Sequence, residues 1–534
     1  MPSSPRFVSA TTFTRLAIAL GMTAASCAQP GVDPPAASTT AALTAAATST
    51  SPGDLDVLFM IDNSSSMTVM QQKLGTQIPG FVTALQNLPG GLPNIHIAVV
   101  SSDLGAPGDA TSSIGCTLLG DDGTFRTGSS KAGSVEQHPG LDGGGGASGG
   151  ATGLDGGAPG GAPGGDDAGA PSCAGVSLNS GATFISNVDG VANYTGDLSS
   201  LLSCMTALGD SGCGFEHQLA SISRALGADN SPAPAQNAGF LRPDAQLAII
   251  VLSNEDDCSA PATTTLYSLN GAEQNIANPL GPIANYRCNE FGHLCVDPAA
   301  AGSTCLMEPP LKAPADAQGT TLAPTLNLTD CESDDSHGML TSVMSFVSGI
   351  RALKADPDNQ IVVGAIVAPP TPYTVAWMPE AGGENTVAGE LWPQIEHSCG
   401  LVGSDGVNPA GQTTTDQSFG DPAVRIAQWV QAFGPNGVTA SICDGSYANA
   451  FSTIVSKIGA HLPGGSGNPP GTVEGATGAS ALPICANGIS SGPSSGLSDG
   501  GCACAAAPAG ARLWTLALLG TLLAFARRRR ASRR

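Results

Sequence analysis

Charge is scarce in this chain of 534 residues: Asp, Glu, Lys and Arg together make up 12 %, and aromatic residues 4 %. Basic residues are the scarcer sign, 20 against 43 acidic, for a net charge of −23. Six of the arginines fall in the last eight residues, so the rest of the chain is more acidic still. Such a surface repels phosphate backbones, which argues against nucleic-acid binding and against attachment to anionic lipid through a basic patch, and it favours cations. Catalytic signatures are also missing. There is no HExxH, P-loop or dinucleotide fingerprint, and no CxxC pair suited to zinc or thiol exchange. Gly488-Ile489-Ser490-Ser491-Gly492 has the letters of GxSxG, but it lacks the strand and helix that make a nucleophile elbow. The histidines are scattered, and Asp330-Cys331-Glu332-Ser333-Asp334-Asp335 lacks the glycine and spacing of an EF-hand loop. We therefore expect a protein that is not an enzyme.

What the chain has in quantity is glycine (71) and proline (40), with 41 % hydrophobic residues. Together these imply one sizeable folded domain carrying flexible inserts and tails. Residues 1–27 read as an export signal: Arg6 and Arg15, the apolar run from Leu16 to Leu20, then small residues before Cys27. Ala24-Ala25-Ser26-Cys27 resembles a bacterial lipobox, with Cys27 as the lipidation site; ordinary cleavage nearby is the alternative, since small residues suit both peptidases. A linker occupies 28–53 and a Gly/Ser/Pro stalk 463–500. Residues 501–534 hold Cys502 and Cys504, an apolar run from Leu513 to Ala526 and an arginine cluster. At about 1.5 Å per residue that run is short of a bilayer core. The combination resembles the MYXO-CTERM sorting tail of myxobacteria. It implies delivery to the cell surface or outer membrane of a Gram-negative bacterium, with the membrane held through the Cys27 lipid, the processed tail, or both.

The 15 cysteines suit an oxidising compartment. Setting aside Cys27, Cys502 and Cys504 leaves an even number, compatible with full pairing. Proximity suggests Cys204 with Cys213 and Cys116 with Cys173, Cys399 with Cys443, and a set of staples among Cys258, Cys288, Cys295, Cys305 and Cys331.

Between residues 54 and 462 strand and helix patterns alternate. Short Val/Ile-rich runs at Asp56–Ile61, Ile95–Ser101, Gln246–Leu252 and Gln360–Val367 read as buried strands. Helical periodicity covers Gln71–Leu85, Phe215–Leu226, Met339–Leu353, Val424–Phe433 and Ala448–His461. This alternation predicts an α/β fold, a doubly wound, mostly parallel central sheet flanked by helices. It is interrupted by a glycine-rich insert at 128–172 and a cysteine-bearing insert at 260–338.

Directly after the first strand stands Asp62-Asn63-Ser64-Ser65-Ser66. In open α/β sheets ligands bind beyond the carboxyl ends of the strands, where this loop falls. Asp62, Ser64 and Ser66 offer one carboxylate and two hydroxyls, oxygen ligands suited to a hard cation, Mg²⁺ or Ca²⁺. With so little anionic charge around it, the metal would keep residual positive charge and an open position for an acidic side chain of a protein partner. The bland alternative is a serine-rich turn that caps the next helix. This DxSxS after an apolar strand resembles the metal-ion-dependent adhesion site of the von Willebrand factor A (VWA) family, which implies metal-bridged adhesion or protein–protein interaction. The family completes its site with a threonine from a second loop and an aspartate after the fourth strand. Here the second loop, Gly212 to Glu216, has no threonine; Glu216 either binds metal or begins a helix, and the helix start is preferred. Asn254 stands where the aspartate is expected, with Asp256 and Asp257 close enough to assist directly or through water. These departures keep a second reading open, a structural envelope protein whose degenerate site binds no partner through metal.

Overall fold

The computed structural model describes residues 53–106, 116–128, 173–268, 276, 278–282, 285–298, 307–310, 325–379, 391–400 and 418–463. The expected export signal, sorting tail and stalk, with Cys27, Cys305, Cys485, Cys502 and Cys504, lie outside the described residues, as does nearly all of the glycine-rich insert.

A strand with apolar residues at every position can only be satisfied between two covering layers, and the chain supplies several. The main sheet contains β1 (Asp54–Ile61), β2 (Asn94–Ser101), β3 (Ile185–Val188), β4 (Val191–Ala192), β5 (Gln246–Leu252), β6 (Ile361–Val367) and β7 (Gly437–Ser441). Their spatial order is β7-β6-β5-β1-β2-β3-β4. The five strands from β7 to β2 are mutually parallel, while β3 and β4 form an antiparallel edge. β1 sits in the middle. The chain adds β2 on one side of it and then β5, β6 and β7 outward on the other.

Alternate residues of β1 feed two separate cores. Leu55, Val57, Phe59 and Ile61 pack with helices α1 (Thr68–Gln86), α2 (Leu198–Thr206) and α6 (Ala448–His461). Leu58 and Met60 face the opposite way, toward α3 (Gln218–Leu226), α4 (Val343–Arg351) and α5 (Val424–Gln431). The helices fit because each shows an apolar stripe at spacings of three and four: Met70, Leu74, Ile78, Phe81, Val82 and Leu85 along α1, and Leu219, Ile222, Ala225 and Leu226 along α3. Each fully buried side chain of this size contributes about 1.5–3 kcal/mol relative to exposure. The whole is a mixed α/β architecture, a large, mostly parallel central sheet flanked by helices, compatible with a Rossmann-like fold.

α3 stops at Gly227, whose φ of 71° suits glycine, and Ala228 N then donates to Ser223 O at 2.7 Å. Two elements escape the expected pattern. α2 is short and serine-rich, though Asp197 caps it by accepting from Ser200 N at 2.9 Å. β7 is a half-exposed edge strand, with Val438 its one buried residue. The region read as a cysteine-bearing insert pairs with strands outside it. Its strands His293–Val296, Met307–Glu308 and Leu326–Ser333 form an antiparallel sheet together with Tyr373–Pro379 and Leu391–Ile395, which lie beyond residue 338.

Five disulfides are formed among the described residues: Cys116–Cys213, Cys173–Cys204, Cys258–Cys288, Cys295–Cys331 and Cys399–Cys443. They mark an extracellular or periplasmic protein. Cys399–Cys443 and the stapling of the 258–331 region agree with expectation, whereas Cys116 and Cys204 exchange partners. Cys204 lies on α2, while nine residues later Cys213 has crossed to the loop beside Asn63, so closeness in sequence misleads. No described helix is long and apolar enough to cross a membrane. Peptide mapping of the unreduced exported protein should return these five linkages; predominantly free thiols would overturn the assignment.

Candidate functional site

β2, β1 and β5 run side by side, and their last residues are in register: Ile61 pairs with Ser101 on one side and with Leu252 on the other. The next residue of each chain therefore emerges at the same height. Those residues are Ser102, Asp62 and Ser253, all buried. Their side chains meet. Ser253 Oγ donates to Asp62 Oδ2 at 2.6 Å, and Ser102 Oγ donates to Asp62 Oδ1 at 3.2 Å. The Ser64 amide also donates to Asp62 Oδ1, at 2.9 Å. Ser64 and Ser66 hydroxyls lie 3.3 Å apart, and Ser66 Oγ donates to Asn254 Oδ1 at 3.1 Å. Asp62, Ser64, Ser66 and Asn254 are thus brought into one cluster, with Ser102 and Ser253 added.

The loops that carry these groups are fixed from behind. Gln71, on the first turns of α1, donates through Nε2 to Asp62 O and Gly209 O, both at 2.8 Å, and accepts through Oε1 from Leu208 N and Gly209 N. Gly212 N donates to Asn63 O at 2.8 Å, and a Cβ at Gly212 would come within 2.4 Å of Asn63 Oδ1, so a larger residue there would push the Asn63 amide aside. Gln218 Nε2 donates to Ser253 Oγ at 2.9 Å, aiming the hydroxyl at Asp62.

Asp62 differs from the buried aspartates Asp56 and Asp257 in having no basic partner among the described residues. Asp56, on the same strand, pairs with Arg242 at 2.8 Å and Lys354 at 3.9 Å. Asp257 pairs with Arg425 at 3.1 Å, both side chains fully buried. Asp62 has only hydroxyls and amides about it, and burial pushes its carboxyl above the ordinary 3.8 against the hydrogen bonds from Ser253, Ser64 and Ser102. Beside it the Nδ2 of Asn254, also buried, has no hydrogen-bond partner among the described residues. A concentration of hydroxyl and amide oxygens around one unneutralised carboxylate is a donor set that fits a hard divalent cation. Among the described residues no group of three or more His, Cys, Asp or Glu converges, so the set has few anionic members.

The structure places the remaining candidates elsewhere. Asp256 accepts from His293 Nε2 at 2.9 Å, Arg425 N at 2.8 Å and Ile426 N at 3.1 Å, which caps α5. Burial opposes its charge, yet these bonds and the charges of His293 and Arg425 hold its carboxyl below the ordinary range. Asp257 accepts from Leu219 N and Ser259 Oγ at the start of α3 and from Arg425. Both carboxylates are saturated by protein donors, so neither joins the Asp62 cluster. Glu216 is buried just ahead of α3, its carbonyl accepting from Cys258 N at 2.8 Å. The expected helix-start role passes to Asp257 and Ser259, whose side chains accept from the amides of Leu219 and Ala220. Ser102, Ser253, Gln71 and Gln218 were not expected from sequence. The signal for the two serines was available: each directly follows a buried strand, as Asp62 does.

No family model matches the chain, and no curated protein matches it. Among solved structures it is similar to the pilus adhesin RrgA from Streptococcus pneumoniae, at 11 % identity and a TM-score of 0.21, over 60 % of this chain and 39 % of the adhesin's. The chain therefore spans about two-fifths of that protein's length.

Two outcomes follow from the site's electrostatics. Arg425→Ala should leave Asp257 buried without its partner and destabilise the protein by about 3–5 kcal/mol in urea unfolding, whereas a loss under 1 kcal/mol would mean that the pair contributes little. A carboxyl raised on folding contributes stability below its unfolded pKa and loses it as pH rises through the folded value. Cation-free Asp62→Asn should therefore be more urea-resistant than the unsubstituted protein at pH 7, the advantage shrinking as pH falls toward 3.8.

Proposed function

We propose that this is an exported, non-enzymatic surface protein with a doubly wound VWA-like domain that binds one divalent cation, Mg²⁺ or Ca²⁺, and through it an acidic side chain of a protein partner. Asp62, Ser64, Ser66 and Asn254 hold the ion at the rim of the sheet, beyond the carboxyl end of β1. The observation that carries this reading is the buried Asp62 carboxylate, ringed by oxygens and, among the described residues, lacking the basic neighbour that buried Asp56 and Asp257 have. Bound there, the ion supplies Lewis-acid charge. Asp62 offsets part of it, the hydroxyls and the amide oxygen add none, and the surplus attracts a carboxylate from outside. Adhesion is the role that such a site serves, and the resemblances at the two chain ends favour display at the cell surface, held through lipidated Cys27, the Cys502/Cys504 tail, or both.

One observation favours a second reading. Asn254 occupies the place of a carboxylate, and Asp256 and Asp257 are engaged by protein donors, so the domain can also act as an envelope component with metal-independent contacts. Thermal melting of the full chain with and without Mg²⁺ or Ca²⁺ separates the two. The cation should raise the melting temperature, and Asp62→Ala should abolish the rise. An unchanged shift in the variant, or none in the parent, would refute the cation site.

A further inference from the structure

The family pattern that the DxSxS loop resembles calls for one more hydroxyl, from a threonine that the second loop lacks. We infer that Ser102, at the carboxyl end of β2, supplies it as a direct cation ligand; this rests on the cation-binding reading above. Three observations on the residue itself carry the inference. First, the strand register sets Ser102 level with Asp62, one residue past the paired Ile61 and Ser101, so its position is fixed by the sheet and not by a loop. Second, Ser102 is 0 % exposed, and its hydroxyl is oriented by two long bonds to acceptors of the cluster, Asp62 Oδ1 at 3.2 Å and Asn63 Oδ1 at 3.4 Å. Third, it accepts nothing. A hydroxyl has two lone pairs, and among the described residues no donor points at those of Ser102, although burial also removes them from water. Its backbone carbonyl, by contrast, is engaged, accepting from His217 N at 2.9 Å.

Ser253, the residue at the same level on the other flank of Asp62, differs in kind. Its oxygen accepts from Gln218 Nε2 at 2.9 Å and from Glu255 N at 3.3 Å while its proton goes to Asp62 at 2.6 Å, so its lone pairs are already engaged. It is a positioning residue that orients the carboxylate. Ser102 retains the free lone pairs that a hard ion needs, and its two long hydrogen bonds are weak enough to yield to an ion–oxygen contact.

The test is calorimetric titration of the full exported chain with Mg²⁺ and with Cd²⁺, for the parent, Ser102→Ala, Ser102→Cys, Ser253→Ala and Asp62→Ala, each first checked by melting without metal. If Ser102 is a ligand, S102A loses at least about tenfold in Mg²⁺ affinity, and S102C exchanges Mg²⁺ preference for Cd²⁺, because a sulfur ligand selects the softer ion. A merely structural role would lower the metal-free melting temperature but would not invert metal preference. Mg²⁺ affinity unchanged in S102A, with D62A inactive, would overturn the ligand role and leave the cation site standing. No Mg²⁺ binding by the parent would overturn both. Inverted preference in S102C supports the ligand role even if S102A is too unstable to titrate.

Discussion

A buried carboxylate with no basic partner among the described residues is the constraint around which the rim of this sheet is organised. β1 carries two fully buried aspartates, Asp56 near its start and Asp62 just past its end. At the amino-terminal side the chain neutralises the charge with Arg242 and Lys354. At the carboxyl side it brings serines. Burying an anion among neutral dipoles costs free energy that only hydrogen bonds, or a cation, offset. The donors around Asp62 come from three adjacent strand ends, so the cluster depends on the register of the parallel sheet as much as on any loop.

Behind that rim, Arg425 ties the parts of the molecule that the sequence separates. One guanidinium reaches Asp257 after β5, Ser333 in the antiparallel sheet and the carbonyl of Thr341 before α4. Its own amide caps onto Asp256. Residues expected to assist a metal thus hold the helical layer and the second sheet against the main one. The same acidic loop that looks ligand-rich as a string of letters is, in three dimensions, a structural hub.

Much of the fold was legible because buried strands and amphipathic helices leave strong periodicities. The runs at 246–252 and 448–461 match their elements residue for residue, and the other central strands and long helices differ by a few residues at their ends. Weakly apolar elements were illegible: β7 is an edge strand with little to bury, and the antiparallel sheet recruits partners from either side of β6, which no local pattern announces. At the site, Asp62, Ser64 and Ser66 stood out through spacing within one loop. Ser102 and Ser253 reach the same place from distant positions, and their convergence becomes visible only once strand order and register are known. Asp256 and Asp257 illustrate the opposite failure, since composition cannot tell a carboxylate that awaits a ligand from one whose oxygens are already occupied.

Three of the disulfides, Cys116–Cys213, Cys258–Cys288 and Cys399–Cys443, involve segments that leave or approach the carboxyl ends of the parallel strands. Two of them lie within a small apolar cluster, with Phe215, Leu266 and Tyr267, that sits apart from the two main cores. These cross-links therefore limit how far the segments can wander. For the partner proposed above, the rim would be a template set in advance, and little of the encounter's free energy would be dissipated in ordering it.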